Sequence, residues 1–348
     1  MNPIVRSITK CFYHGDKCAD GKLSAWLFQR LKRSEIKNGK FVLQGFVHGQ
    51  KPPEVSGDTV IILDYCFPRA VIKEMAKKAK HIYILDHHSS TIRDMAPIVY
   101  LKDGTTDAIP SNVTIVLDEK RSGAEITWDW VYPGIARPWF VEVVGDRDLF
   151  RWTKPYSKAV SSAFFHFNYY TWDRLEELFQ QSEDEASINL LIKKFCDMAA
   201  SIPDPTREIE SICASAFLTN FVSPTGEKYR VKLVQSPRTH RSEVGNKLSQ
   251  TGCDFAAMWQ YDFMLKEWWI SCRASDASPL NLSELCQQFK RGGGHKKSAG
   301  FTILGATGDD IHNYFTLVTV PPSRTEDLKL LREMGDYGHV IISNVAKK

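Results

Sequence analysis

The sequence predicts an α/β fold. An N-terminal, mostly parallel sheet carries helices on both faces; a helical connector and a smaller C-terminal α/β domain follow. Three observations predict it. A chain of 348 residues is long enough for two cores. Short apolar runs and helical patterns alternate in a β-α-β-β-α-β rhythm before residue 150. The same rhythm restarts after a polar helical stretch between about 170 and 217.

KCFYH (10–14) is a short apolar run and predicts a strand. DGKLSAWLFQRLKR (20–33) places Leu23, Trp26, Leu27 and Leu31 at helical spacing, with small Ser24 and Ala25 allowing close packing on the sheet. FVLQGFVH (41–48) and TVIILD (59–64) predict strands. PRAVIKEMAKKAK (68–80) opens with a proline, tolerated at a helix start, and HIYILD (81–86) returns to strand. SGAEITWDWVY (122–132) has Ser122 followed three residues later by Glu125, the spacing of a capping box. PWFVEVVGDRDLFRW (138–152) predicts a helix running into a loop.

DRLEELFQQ and SINLLIKKFCDMAASI predict connector helices, with the charged QQSEDEAS (180–187) as a solvated turn. The dense aromatic segment FFHFNYYTW (164–172) is read as packing in preference to a base-stacking surface. Strands follow at EKYRVKLVQ (227–235), CDFAAMWQYD (253–262) and EWWISCRAS (267–275), and helices at SEVGNKLSQ (242–250) and LSELCQQFK (282–290). RGGGHKKSAGFTI (291–303) is a glycine-rich turn leading into a strand. In the tail, EDLKLLREM has the pattern of a short helix.

Hydrophobic residues make up 43% and charged residues 25%, ordinary for a globular protein. A net charge of +4 is compatible with a polyanionic substrate but does not suit a protein that coats DNA. None of the eight cysteines forms a CxxC pair, which suits free thiols in a reducing compartment. The N-terminus lacks a secretory h-region and no run is long enough to span a bilayer, so the expectation is a soluble, cytoplasmic protein with no membrane partner.

Ligands of an open parallel sheet bind beyond the carboxyl ends of its strands. Here those ends carry acids and imidazoles: His14, then Asp64, then Asp86-His87-His88, with Asp146 and Asp148 after a further apolar run. Each piece alone has a plain explanation as a turn former, a cap or an ion pair. Together, neighbouring strand ends would bring several carboxylates into a small volume. Their repulsion is relieved by divalent cations, and mixed carboxylate and imidazole donors suit Mn²⁺ or a similar metal. Consecutive glycines at 292–294 let backbone N–H groups approach an anion, with His295, Lys296 and Lys297 adding donors and charge.

The pieces HGDKCADGKLSA, VIILD, ILDHH, VVGDRDLF and RGGGHKKSAGF, in this order, resemble the DHH phosphoesterase superfamily, the last piece resembling its DHH-associated C-terminal domain. The match spans roughly residues 10–305. The resemblance implies a catalytic domain over 1–165, a connector over 166–217, a substrate-binding domain over 218–319 and a tail over 320–348. It implies two metal ions, Mn²⁺ first, with Mg²⁺, Zn²⁺ or Fe²⁺ as alternatives. His14 would ligate the first ion, Asp20 and His87 the second, and Asp64 both. Spacing to the following aromatic favours Asp146 over Asp148 as the remaining acid. Asp86 would orient the histidines and His88 would face the phosphate. Gly292, Gly293, Gly294, His295, Lys296 and Arg273 would hold the substrate.

One place departs from the family pattern: many members have an acid four residues after the first histidine, where this chain has Cys18. A thiolate ligand would favour a softer metal, a non-ligating Cys18 would leave the first ion weakly held, and Asp16 is near enough in sequence to substitute. The implied activity is a phosphodiesterase or exonuclease that attacks short oligonucleotides from one end through a two-metal-activated hydroxide, resembling nano-RNases and RecJ-type enzymes. A bisphosphate phosphatase, a cyclic or linear dinucleotide phosphodiesterase, and a nucleotide-binding protein with a degraded metal site are the alternatives. The partner is then an oligonucleotide or nucleotide, and the protein a monomer or homodimer.

Overall fold

The computed structural model describes residues 1–15, 18–47, 49–100, 106–305 and 309–317. The chain divides into two compact units, Met1–Pro203 and Asp204–Lys348. Asp16, and the tail with its EDLKLLREM segment, lie outside the described residues.

The strands of the first unit are β1 (Lys10–His14), β2 (Val42–Phe46), β3 (Thr59–Leu63), β4 (His81–Asp86), β5 (Ile98–Tyr100), β6 (Thr106–Ala108) and β7 (Val113–Leu117). Its helices are α1 (Ala19–Leu31), α2 (Arg33–Lys37), α3 (Arg69–Ala76), α4 (Ser89–Asp94), α5 (Gly123–Val131), α6 (Trp139–Asp148), α7 (Ser157–His166), α8 (Trp172–Gln181) and α9 (Glu185–Ala200). The main sheet has the order β2-β1-β3-β4-β7, every pairing parallel. β5 and β6 form a separate antiparallel pair.

The central strands are apolar at successive positions because both faces are covered. Alternation along each strand sorts side chains into two cores. Cys11, Ile61, Leu63 and Leu85 pack with Trp26, Phe28, Phe140 and Phe164 on one side. Phe12, Val60, Ile62, Ile82 and Ile84 pack with Ile72 and Met75 on the other. Ser24 and Ala25 are buried, as their size suggested. In the aromatic segment, Phe164 and Tyr170 belong to the first core, and exposed Phe165 is stacked by Arg147 at 3.5 Å. Leu175, Leu178, Leu191 and Phe195 join the same core. The stretch read as a connector is thus divided: its first two helices complete the first unit, and the third belongs to the second.

The second unit contains α10 (Thr206–Ala214), β8 (Phe217–Val222), β9 (Lys228–Gln235), α11 (Arg241–Ser249), β10 (Phe255–Asp262), β11 (Glu267–Arg273), α12 (Leu282–Gln287), β12 (Gly293–Gly294), β13 (Ser298–Leu304), α13 (Asp309–His312) and β14 (Phe315–Leu317). Its sheet order is β12-β13-β11-β10-β9-β8-β14, with β9 and β10 parallel and the other pairings antiparallel. One face holds Phe221, Phe255, Leu285 and Phe301, the other Val234, Val244, Leu248 and Met258.

Candidate metal centre and anion-binding groups

The parallel sheet delivers its site residues from consecutive strand ends. β1 ends in His14, β3 runs into Asp64, and β4 ends in Asp86 followed by His87 and His88. Because β3 lies between β1 and β4, Asp64 occupies the middle. Its backbone adopts φ 53°, in the left-handed region that Asp tolerates better than branched residues. This turn aims the carboxylate at its neighbours.

His87 Nε2 lies 3.0 Å from Asp64 Oδ1, 3.4 Å from Asp148 Oδ2 and 3.6 Å from Asp20 Oδ2. On the other side, His14 Nδ1 lies 3.5 Å from Asp64 Oδ2, and the Cys18 thiol donates to the same oxygen at 3.3 Å. Asp64 therefore joins two donor groups, His14-Cys18-Asp64 and Asp20-His87-Asp148, with ligand atoms within 4.8 Å of one another inside each group. Asp20, Asp64 and His87 are buried, whereas the Asp148 side chain keeps 29% of its exposure.

Several local features hold these groups in place. Cys18 is the N-cap of α1, where its sulfur accepts from Gly21 N at 3.5 Å. Asp20 accepts from Gly123 N at 2.6 Å and Ala124 N at 3.0 Å, so the N-terminus of α5 steadies it. That end is closed by the predicted capping box of Ser122 and Glu125. A Cβ on Gly123 would meet Asp64 Cβ at 2.5 Å, so only glycine fits between α5 and β3. Asp86 Oδ1 accepts from His87 N at 2.8 Å and bonds His88 Nδ1 at 2.7 Å, which fixes the His88 imidazole and the His87 backbone.

Electrostatics separate the carboxylates. Burial, with Asp64 and Asp148 nearby, pushes the Asp20 carboxyl well above its usual range. Burial alone would raise Asp64 too, but hydrogen bonds from His14 and His87 hold it well below. Burial works against protonation of His87, and its bond to Asp64, with Asp148 and Asp20 nearby, overcomes this and raises it well above the ordinary value. Burial, then Asp64, Asp148 and Asp20, push the Cys18 thiol up. Three acids around one imidazole store a repulsion that a bound cation would relieve. The donor set of carboxylate, imidazole and thiol fits a divalent transition metal.

The expectation for Asp146 is corrected by the geometry. Its carboxylate is occupied by Thr153 N at 2.9 Å, Thr153 Oγ1 at 2.8 Å, Ser157 Oγ at 2.7 Å and Lys154 N at 3.2 Å. It braces the turn after α6, and Asp148 reaches His87 instead. In this structure the Cys18 sulfur stands beside Asp64, while the alternative donor Asp16 is outside the described residues.

The remaining predicted groups lie in the second unit. Arg273 closes β11 and donates to Ser242 Oγ at 3.3 Å. Gly293 and Gly294 form β12 against Gly300 and Ala299. A Cβ on Gly292 would fall 1.6 Å from the Cys286 carbonyl oxygen, which makes glycine obligatory there. His295 and Ser298 close the turn by reciprocal backbone bonds of 2.8 and 3.3 Å. Lys296 is exposed, whereas Lys297 Nζ is tied to the Ser278 carbonyl. Arg241, which the sequence pattern did not single out, lies at the start of α11 on the same face as Arg273. No periodicity or motif marks it.

Among the described residues, no helix is long and apolar enough to cross a membrane. No known protein-family profile matches the chain. An uncharacterised protein, R106 of Acanthamoeba polyphaga mimivirus, is 22% identical over 262 residues; the match covers 73% of this chain and 55% of that relative. The chain thus spans about half the length of that relative. Among solved structures, the pGpG-specific phosphodiesterase PggH from Vibrio cholerae aligns over 88% of this chain and 96% of its own, with 13% identity and a TM-score of 0.35. An exopolyphosphatase-related protein from Bacteroides fragilis aligns over 88% of this chain and 89% of its own, with 11% identity and a TM-score of 0.38.

Proposed function

We propose that this chain is a metal-dependent phosphoester hydrolase of the DHH type that cleaves short oligonucleotides from one end. The observation that carries this reading is the convergence of His14, Asp64 and His87, at or just beyond the ends of adjacent parallel strands, with Cys18 and Asp20 from the start of α1 and Asp148 from the end of α6. The resemblance of five ordered motifs supports the same reading.

Divalent cations at these donors, Mn²⁺ first, would supply charge neutralisation and water activation at a phosphoryl group. The chain's own residues do the rest. Asp64, held ionised, offers one oxygen to each donor group. The N-terminus of α5 keeps the Asp20 carboxylate aimed at the cluster. Burial works against protonation of His88, yet Asp86 beside it and bonded to its ring raises its proton affinity, which suits it to donate to a phosphoryl oxygen. Asp148 is the most exposed acid of the group.

In the second unit, the glycine segment, His295, Lys296 and Arg273 would hold the phosphates of the substrate. The mild net charge suits a short polyanion better than long DNA. A hydrolysis panel in Mn²⁺ tests the reading: a 5′-phosphorylated RNA dinucleotide, a five-residue RNA, long single-stranded DNA, a cyclic dinucleotide, a 3′,5′-nucleoside bisphosphate and pyrophosphate. Fastest turnover of the shortest linear RNAs, abolished by chelation and by Asp64→Ala, is the expected result. Full turnover in excess chelator would overturn the metal dependence. Preference for the bisphosphate or the cyclic species would move the substrate.

A further inference from the structure

The turn after α6 holds two large aromatic residues in a backbone conformation that suits neither. The helix is capped at Leu149. Phe150 N then bonds the Arg147 carbonyl at 3.2 Å, and Arg151 N bonds the Asp146 carbonyl at 2.9 Å. This pair of bonds is a Schellman closure, in which the residue after the cap adopts a left-handed backbone and is usually glycine. Here that residue is Phe150, at φ 56°. Two positions on, Trp152 repeats the left-handed conformation at φ 52°. Both backbones are strained for a bulky side chain, and glycine at either place would make the same turn freely.

Burial does not offset this strain. Phe150 keeps 49% of its exposure, Trp152 is half-buried, and neither packs into the two cores of the first unit. Their rings meet edge to face at 5.3 Å, and the exposed Lys158 stands over the Trp152 ring at 5.6 Å. The turn is nonetheless tightly held. Thr153 N and Lys154 N, just past Trp152, donate to the Asp146 carboxylate, and Arg151, between the two aromatics, pairs with buried Glu125. The chain thus fixes an aromatic pair at the surface within four residues of Asp148, whose carboxylate is 3.4 Å from His87. Strain held in this way collects at ligand-binding sites, where a side chain is placed for contact with something other than the core.

We infer that Phe150 and Trp152 form a platform on which a nucleobase of the substrate stacks, with Lys158 beside it for an adjoining phosphate. The inference rests on the oligonucleotide reading for its ligand, and adds that a base, and not the phosphates alone, determines binding. Stacking on an aromatic ring is tolerant of sequence, because every base presents a π-face. The platform therefore favours nucleotides over pyrophosphate or polyphosphate without reading a sequence, and holds the larger adenine more tightly than uracil.

The test is equilibrium binding to the full chain with chelator present, so that hydrolysis does not contribute. It compares an adenine RNA dinucleotide, its uracil counterpart, an abasic analogue with the same phosphates, and pyrophosphate. The adenine dinucleotide should bind about tenfold tighter than the abasic analogue, with the uracil form between them. Trp152→Gly and Phe150→Gly should each lower that ratio and leave Tm unchanged or raised, because each removes a ring and a strained backbone together. Trp152→Phe should keep most of the ratio. Thermal melts separate this role from a structural one, since a ring needed for packing would lower Tm when removed.

Equal affinities for the adenine and abasic forms, or an unchanged ratio in both glycine variants, would overturn the platform. If the glycine variants do not fold, Trp152→Phe against Trp152→Leu carries the comparison, one keeping a ring and one removing it with the backbone strain retained; equal ratios in these two would then overturn it. The oligonucleotide reading fails separately. If the wild-type chain hydrolyses no phosphoester while the ring-dependent ratio persists, the platform stands and the reaction does not. Hydrolysis of the dinucleotides with no ring-dependent ratio leaves the reaction and removes the platform.

Discussion

Gly123→Ala probes the packing on which the Asp64 donor cluster depends. The added methyl would sit 2.5 Å from Asp64 Cβ and 2.8 Å from its Oδ1. Opening 2.5 Å to an ordinary 3.4 Å contact asks for 0.9 Å of movement. Asp64 cannot yield freely, because its oxygens stand 3.0 Å from His87, 3.3 Å from Cys18 and 3.5 Å from His14. Retreat of α5 instead would stretch the Gly123 and Ala124 bonds to Asp20, at 2.6 and 3.0 Å. Either response displaces a carboxylate of the cluster. Overpacking of this kind costs about 1–3 kcal/mol. At roughly 2–4 °C per kcal/mol for a unit of this size, Tm falls by roughly 2–12 °C. A displacement near 1 Å lowers kcat/KM by about 100-fold, with a parallel loss of metal affinity. Thermal melts and metal titration by calorimetry check both parts. A Gly123→Ala protein with unchanged Tm and unchanged metal affinity would refute the claim that α5 packs directly on Asp64.

Asp148→Asn should weaken metal binding at least tenfold while leaving Tm within about 2 °C, since its side chain is partly exposed and reaches His87 of the cluster. Asp146→Ala should do the reverse, destabilising the fold by about 3 kcal/mol through the lost bonds to Thr153, Ser157 and Lys154; equal effects of the two substitutions would contradict the geometry. Asp146 also sets an acid limb. Burial opposes its ionisation, but the hydroxyls of Ser157 and Thr153 hold it below the usual carboxylate range, so its stabilisation is present above about pH 4 and is lost as pH falls through its lowered folded value. Asp146→Asn should flatten that part of the stability profile, and denaturant melts between pH 2 and pH 7, on the order of the carboxylate range, read it. Cobalt-loaded protein should show a thiolate-to-cobalt charge-transfer absorption that Cys18→Ser removes; stoichiometric cobalt without that band would exclude Cys18 as a ligand.

Much of the site was legible from local order. His14, Asp64 and Asp86-His87-His88 each follow an apolar run, and parallel strands of similar length must present their carboxyl ends together. The capping box at Ser122 was equally local. The consecutive glycines at 292–294 stand out in the sequence itself, whereas Arg273 was expected only from the resemblance to a known family. The spacing argument favoured Asp146, whereas Asp148 is the one that reaches His87. Two residues apart on a helix are rotated by about 200°, so only one can face the cluster, and which one is set by the rotation of α6. That rotation follows from burying Phe140, Val143 and Val144 in the core, a contact made with elements distant in sequence.

By itself, then, the sequence determined the alternation of strands and helices, the sheet class and the strand ends that carry donors, because these depend on periodicity and turns within a dozen residues. Tertiary structure decided the rest. It set the sheet order, placed β7 at the edge, and added α8 and α9 to the first core through Leu175, Leu191 and Phe195. It brought Cys18 to Asp64 across 46 positions of chain. Such features arise from which faces are buried against each other, and no local pattern encodes the partner of a buried charge.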